Sequence, residues 1–191
     1  MPALRYWKPV QTGIEQDNDT AEVLRLSGAT PGAALDEGVR LPRPLSPHLS
    51  AANAGTVIHV ATLFELASRQ PLSSRWIVEG AGGVLVPLNE RELMIDLMTL
   101  LAMPVVIAAR SGLGTINHTL LTIEALRARA LPIAGVVMVG EPNQDNRIAI
   151  ETRGNVTVVG ELPMLQPLTP ASLQAAAAGL DRSGLLEGYL S

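Results

Sequence analysis

The chain has 191 residues, 47% of them hydrophobic and 17% charged, a globular composition that excludes a largely disordered protein. A formal net charge of −4 gives no electrostatic reason to expect binding to nucleic acid or to an anionic membrane, and the absence of cysteine excludes disulfides and thiolate chemistry. The sequence contains neither a membrane-spanning apolar run nor the apolar stretch of a signal peptide, so we expect a single cytoplasmic domain over residues 1–191.

The first half of the chain alternates short apolar runs with helical patterns. Residues 6–10 predict a strand, and residues 19–27 predict a helix. The stretch 30–50 is rich in proline and glycine and predicts a long loop. A continuous apolar run predicts a strand at 75–78, and a helix is predicted at 90–101.

The second half repeats this alternation more clearly. Apolar runs rich in β-branched residues and bounded by turn residues predict strands at 104–109, 133–139 and 156–159. Helices are predicted at 117–130 and, in an alanine-rich stretch, at 170–178. Continuous apolar strands are typical of a parallel sheet that is covered on both faces. The order of elements therefore predicts an α/β fold, a doubly wound and mostly parallel sheet with helices on both faces.

Residues that follow the predicted strands are the first candidates for a site, because ligands bind beyond the carboxyl ends of strands in such sheets. Lys8 places a cation at one strand end, and glycine-rich turns at 80–83 and 112–114 let backbone amides approach an anion. Three carboxylates are candidate ligands of a hard metal ion: Asp17, Asp19 and Glu79. Together these features indicate phosphate chemistry with Mg²⁺.

Five strings occur in an order that resembles the motifs of dethiobiotin synthetases. They read KPVQTG at 8–13, SPH at 46–48, VEGAGG at 78–83, LGTINH at 113–118 and GELP at 160–163. The resemblance covers almost the whole chain, from residue 6 to about residue 173. It implies a P-loop NTPase-like fold and an ATP- and Mg²⁺-dependent ligase of biotin biosynthesis.

The resemblance also implies a reaction and an assembly. The family converts 7,8-diaminopelargonate, CO₂ and ATP into dethiobiotin, ADP and phosphate. One substrate amine is carbamylated, the carbamate attacks the γ-phosphate of ATP, and the second amine closes the ureido ring. A homodimer is implied as well, with the substrate carboxylate bound across the subunit interface.

Catalytic and metal-binding roles follow from the same resemblance. Lys8 would stabilise the carbamate and the transferring phosphoryl oxygens, and Thr12 would hydrogen-bond in the same region. Asp19 and Glu79 would hold Mg²⁺, with Asp17 as a weaker rival. Each also has an ordinary structural reading, as a strand-end lysine, a turn hydroxyl or, for Asp19, the N-cap of a helix.

Substrate and nucleotide contacts are implied for a further set of residues. Ser46 would lie close to the substrate amines, and Gly82 would present its backbone amide. Thr115 and Asn117 would bind the substrate carboxylate at a helix N-terminus, where an anion is favoured. The nucleotide contacts implied by the family motifs are Glu79, Gly82, Gly83, Gly160, Glu161, Leu162 and Pro163. His118 is read as a packing or capping residue.

The sequence departs from the family at two places. The string GxxxxGK[ST], which holds the ATP phosphates, does not occur, and only seven residues precede Lys8. We therefore expect the first strand, the P-loop and the first helix to be absent, apolar sheet edges to be exposed and phosphate binding to be weak. A misplaced or truncated start is favoured over a separate chain or a loop-less homologue. Val139 stands where the family often has asparagine, so adenine selectivity would be relaxed or carried by residues 160–163.

Two other functions stay open. The main alternative is a non-catalytic substrate-binding or assembly subunit that needs a partner for nucleotide chemistry. A cobyrinic-acid-amidase-like or ParA-like relative in the wider P-loop group is disfavoured, because such proteins lack the combined KPVQTG, SPH and LGxxNH strings.

Overall fold

The computed structural model describes residues 4–71 and 74–190, which form two compact units that divide between Ala102 and Met103. Both units consist of parallel strands connected mainly by helices, which confirms the predicted α/β class. The prediction of a single domain over residues 1–191 stays a prediction. Within the described ranges, no helix combines the length and the apolar character needed to cross a membrane.

The first unit is built around a short parallel sheet. Its elements are β1 (Leu4–Trp7), β2 (Val10–Thr12), α1 (Asp19–Ser27), β3 (Ala34–Leu35), β4 (Val39–Leu41), α2 (Pro47–Asn53), α3 (Val60–Ser68), β5 (Arg75–Val78) and α4 (Met94–Leu101). Strand β1 lies between β3 and β5, and β2 pairs with β4.

The core of the first unit is aliphatic apart from Trp7, as the scarcity of aromatic residues predicts. Its best-buried members include Trp7, Val10, Leu41, Ile58, Leu63, Leu88 and Leu97. Each fully buried side chain of this size stabilises the fold by about 1.5–3 kcal/mol relative to an exposed position. This core fixes the positions of β1, β2 and β5, whose carboxyl ends carry the candidate site.

The register between β1 and β5 matters most for function. Trp7 lies opposite Val78, and the amide of Glu79 donates to the carbonyl of Trp7 at 2.9 Å. The next residue of each strand is therefore Lys8 on one side and Glu79 on the other. The pairing of two apolar strands thus places a cation beside a carboxylate at one sheet end.

The second unit contains a separate parallel sheet with strand order β6-β7-β8. Its elements are β6 (Val105–Arg110), α5 (Thr115–Ala128), β7 (Ile133–Val139), α6 (Gln144–Gly154), β8 (Val158–Leu162), α7 (Pro170–Ala177) and α8 (Leu185–Leu190). Strand β7 is central and largely buried, and its Val136 and Met138 are fully enclosed by the core. Its continuous apolar run is explained by this central position.

Several predicted bounds are confirmed and others are corrected in the first unit. The helix at 19–27 and the strand at 75–78 match the structure. The predicted strand at 6–10 is interrupted between Trp7 and Val10, where Pro9 has no amide to donate. The predicted loop at 30–50 contains β3 and β4, because neither pairing with β1 nor pairing with β2 can be read from local composition.

The remaining corrections concern element ends. The helix predicted at 90–101 begins at Met94, because Leu93 forms a bridge with Pro87 and its amide donates to the Asp96 carboxylate at 2.7 Å. The helix predicted at 117–130 begins two residues earlier, at Thr115. The last strand runs over Val158–Leu162 and not over 156–159. The first three residues of the GELP string at 160–163 therefore lie inside the sheet.

Candidate functional site

Lys8 is the centre of a charged cluster at the carboxyl ends of β1 and β5. Its side chain is almost fully buried, and its ammonium nitrogen forms an ion pair with Asp19 Oδ2 and donates to Glu79 Oε1 at 2.8 Å. The two carboxylates are partly exposed. Both carboxylates contact the same nitrogen atom. Oxygens from two separate chain segments therefore surround one point that holds a cation.

The backbone around Lys8 is held from a neighbouring segment. Arg40 donates to the Lys8 carbonyl at 2.9 Å, and the amide of Val39 donates to the Pro9 carbonyl at 2.9 Å. Gly38 has a φ of 143°, and a Cβ there would lie 2.5 Å from the Pro9 carbonyl oxygen. A glycine is required at this close approach, so the loop before β4 is fitted to the backbone that carries Lys8.

Asp19 reaches Lys8 because of how helix α1 begins. Asn18 is the N-cap, and its side chain accepts from the Ala21 amide at 3.0 Å. The buried Gln11 side chain accepts from the Asp19 amide at 3.3 Å and donates to the Asp17 carbonyl at 3.4 Å. The expectation that Asp19 is itself the N-cap is therefore wrong. Its carboxylate contacts Lys8 instead, whereas Asp17 is exposed.

Glu79 has a second partner that sequence reasoning missed. The buried Tyr6 hydroxyl donates to Glu79 Oε2 at 2.6 Å, while Lys8 binds Oε1. Burial raises the pKa of the Tyr6 phenol far above its usual value, and the hydrogen bond and negative charge of Glu79 raise it further. Tyr6 therefore stays a neutral donor. The sequence does indicate that Tyr6 lies beside Lys8, because residues two positions apart share one face of an extended chain.

The other predicted site residues of the first unit lie on turns and element ends. Thr12 ends β2 and is partly buried, and Ser46 is the exposed N-cap of α2. Gly82 and Gly83 are exposed, and Gly82 has a φ of 76°, which favours glycine. Within the described residues, no hydrogen bond joins the side chains of Thr12 or Ser46 to Lys8.

In the second unit, two predicted substrate residues begin helix α5. Gly114 is the N-cap with a φ of 90°, and Thr115 is the first helical residue. The Thr115 hydroxyl is buried and lies 3.5 Å from that of Thr119. Asn117 is exposed on the first turn, where backbone amides lack intrahelical partners. This helix start therefore offers donors to an anion through Asn117 and the backbone more than through the Thr115 hydroxyl.

The predicted nucleotide turn is mostly strand. Gly160 is buried in β8, where a Cβ would clash with the Leu180 side chain, so close packing by itself requires a glycine there. Glu161 lies 3.4 Å from Arg147, and Leu162 accepts from the Gly140 amide at 2.9 Å. Only Pro163 lies beyond the strand, and it is exposed.

The cluster at Lys8 offers two carboxylates to a metal ion such as Mg²⁺. In the ranges that the structure describes, no group of three or more His, Cys, Asp or Glu side chains could hold a metal ion. Mg²⁺ keeps several waters and takes one or two carboxylates together with substrate phosphates. Asp19 and Glu79, which share one cation, therefore fit Mg²⁺ bound with a phosphate ligand and do not form a closed protein cage.

Known proteins resemble this chain over most of its length. A family model described as an AAA domain matches residues 1–172. The chain is 44% identical over 173 residues to the ATP-dependent dethiobiotin synthetase BioD of Brucella ovis. It is 46% identical over 173 residues to the protein of that name from Agrobacterium fabrum. Both matches cover 91% of this chain and 80% of the relative.

Proposed function

We propose that this chain, which belongs to the dethiobiotin synthetase family of ATP-dependent ligases, closes the ureido ring of 7,8-diaminopelargonate with CO₂ and ATP. The observation that carries the proposal is the convergence of Lys8, Asp19 and Glu79 on one point. This is the charge arrangement that phosphoryl transfer needs, with a cation for the transferring group and carboxylates for Mg²⁺.

The reaction can be written in three balanced steps. One substrate amine adds to CO₂ and loses a proton, which gives a carbamate. A carbamate oxygen then attacks the γ-phosphorus of ATP, the bond to the bridging oxygen breaks, and ADP leaves. The second amine attacks the carbamate carbon, loses a proton and expels phosphate, which closes the ring. No covalent bond to the enzyme is required, so positioning and charge neutralisation supply the catalysis.

In this scheme Lys8 neutralises the negative charge that develops on the carbamate and phosphoryl oxygens. Its buried ammonium is paired with Asp19 and Glu79 in the absence of substrate, so it already lies at the strand end where the carboxylates assigned to Mg²⁺ converge. It donates hydrogen bonds to the carbamate and to the transferred phosphoryl oxygens. Thr12, the last residue of β2, hydrogen-bonds in the same region. Asp19 and Glu79 would hold Mg²⁺, which would supply positive charge to the ATP phosphates.

Substrate and nucleotide contacts complete the proposal. The first turn of α5, with Thr115 and Asn117, binds the substrate carboxylate across the interface of a homodimer, since unpaired helical amides favour an anion. Ser46 lies near the substrate amines. The residues assigned to ATP are Gly82 and Gly83, which are exposed in the first unit, and Gly160, Glu161, Leu162 and Pro163 at the end of β8.

An isotope experiment tests this function directly. The purified 191-residue chain is incubated with 7,8-diaminopelargonate, ¹³C-bicarbonate, ATP and Mg²⁺, and dethiobiotin is measured by mass spectrometry. We expect product with ¹³C at the ureido carbon. The rate should be limited by weak phosphate binding, because no GxxxxGK[ST] string occurs among these residues.

The same samples separate the two classes of function. Saturable calorimetric binding of diaminopelargonate without any labelled product would favour a substrate-binding or assembly subunit over an enzyme. Absence of both binding and product would contradict both functions for this chain.

A further inference from the structure

Glu79 is held by two different donors, one at each carboxylate oxygen. Lys8 binds Oε1 at 2.8 Å, and the Tyr6 hydroxyl donates to Oε2 at 2.6 Å. A bond of this length between a hydroxyl and a carboxylate is a strong, charge-assisted hydrogen bond. The Glu79 side chain is 44% exposed, so burial alone does not fix its orientation. Its orientation depends on these two donors.

The two donors differ in what they do to the charge of Glu79. Lys8 neutralises it and occupies the point at which Asp19 also arrives. Tyr6 is a neutral donor and leaves the negative charge in place for another cation. It is also rigidly placed, since its ring is buried in β1 and lies in register with Ile77, two residues before Glu79. Tyr6 can therefore keep its hydrogen bond when Lys8 is replaced at Oε1.

We propose that Tyr6 is a positioning residue that turns Glu79 Oε1 toward the cation-binding point shared with Asp19. The role rests on the proposed function, in which Asp19 and Glu79 hold Mg²⁺. With Oε2 engaged by Tyr6, Oε1 is the Glu79 oxygen that would face the ion. Partners that orient a metal ligand in this way commonly change metal affinity by about 10–100-fold when they are lost.

Metal binding of the full 191-residue chain tests this role without relying on catalysis. MnCl₂ is titrated, and free Mn²⁺ is followed by electron paramagnetic resonance. We expect Tyr6→Phe, which keeps the buried ring and removes only the hydroxyl, to raise the Kd for Mn²⁺ about tenfold. The matched control is Tyr189→Phe at the other tyrosine of the chain, which is exposed on α8, and its Kd should be unchanged.

Glu79→Gln distinguishes failure of this role from failure of the proposed function. If Glu79→Gln weakens Mn²⁺ binding and Tyr6→Phe does not, the role of Tyr6 is overturned and the metal site stands. If Glu79→Gln binds Mn²⁺ like the unaltered chain, the metal site itself is wrong and both proposals fall. In the double variant, Tyr6→Phe should add nothing to the effect of Glu79→Gln. A full additional tenfold loss there would overturn the coupling between the two residues.

A purely structural role for Tyr6 gives a different result. The hydroxyl would then matter only for folding, so Tyr6→Phe would change the melting temperature measured by circular dichroism and leave the Kd for Mn²⁺ unchanged. That outcome overturns the proposal.

Discussion

Lys8 combines burial with charge. It is the only lysine in the chain, and it is 6% exposed. An ammonium group loses several kcal/mol of solvation on burial, and the ion pairs with Asp19 and Glu79 offset that cost here. Because the carboxylates themselves are partly exposed, the cluster remains open to exchange one cation for another. This combination favours a working site over a purely structural ion pair.

Replacing Lys8 tests the catalytic half of this interpretation. We expect Lys8→Met to lower the rate of ¹³C-dethiobiotin formation by about 10²-fold or more, because the variant removes the donor for the transferred phosphoryl oxygens. Circular dichroism should still show a folded chain. The control is Arg25→Met, which breaks the exposed ion pair with Glu22 and should leave the rate unchanged. Retention of the full rate in Lys8→Met would contradict the role of Lys8.

At this scale the sequence predicted the charged residues of the cluster but not the residues that hydrogen-bond to them. Lys8 and Glu79 could be selected because motif strings and strand ends mark them, and Asp19 was a candidate carboxylate shortly after the KPVQTG string. The structure brings all three together. Their roles stay predictions. Tyr6 and Gln11 were missed because their contacts depend on strand register and on the path of the chain into α1, which no local string encodes.

At the scale of elements, helix α1 carries one half of the cluster. Asp19 is its first residue, so the direction of its carboxylate depends on how the helix begins. Asn18 caps that end through the Ala21 amide, and an acidic residue in the first turn is favoured by the helix dipole. A local capping interaction therefore influences both stability and the geometry of the candidate metal site.

Removal of the cap should affect stability and metal binding together. We expect Asn18→Ala to lower the free energy of unfolding by about 1 kcal/mol and to weaken Mn²⁺ binding, because the helix start that holds Asp19 frays. Thr169→Ala removes a comparable cap from α7 in the second unit, and it should lower stability by a similar amount without changing the Kd. Thermal melts and Mn²⁺ titrations of both variants check this. Equal effects on the Kd would show that the cap of α1 has no specific role.

Element type was predictable where the apolar pattern was continuous, and element ends were not. Strands 75–78 and 133–139 and helix 19–27 agree with the structure because their bounds coincide with turn or capping residues. Strand β8 extends through Leu162, since pairing with β7 continues past Gly160. The short strands β3 and β4 are extended because they pair with β1 and β2. Local composition does not encode that pairing, so it predicted a loop there.

At the scale of the whole molecule, each unit ends in an edge strand with exposed apolar side chains. Within the described residues, β5 and β6 are edge strands. Strand β5 pairs only with β1, and β6 pairs only with β7. Ile77 on β5 is 47% exposed and Val106 on β6 is 44% exposed. Unpaired strand edges with apolar side chains are templates for a further strand.

Three distant segments of the chain converge at the candidate site. Segments that end β1, begin α1 and end β5 meet at a cation-binding point, although they are separated by as many as 71 positions along the chain. Asp17 and Asp19 provide an internal comparison, because they are the same residue type two positions apart. Only Asp19 is brought to Lys8, whereas Asp17 is exposed.

The Kd for Mn²⁺ of Asp19→Asn and Asp17→Asn, measured side by side in the 191-residue chain, tests this claim most directly. We expect Asp19→Asn to weaken binding by at least about tenfold, since it removes one of two charged ligands, and Asp17→Asn to bind like the unaltered chain. Equal affinity in the two variants, or a loss confined to Asp17→Asn, would contradict the cation-binding point assigned to Asp19 and Glu79.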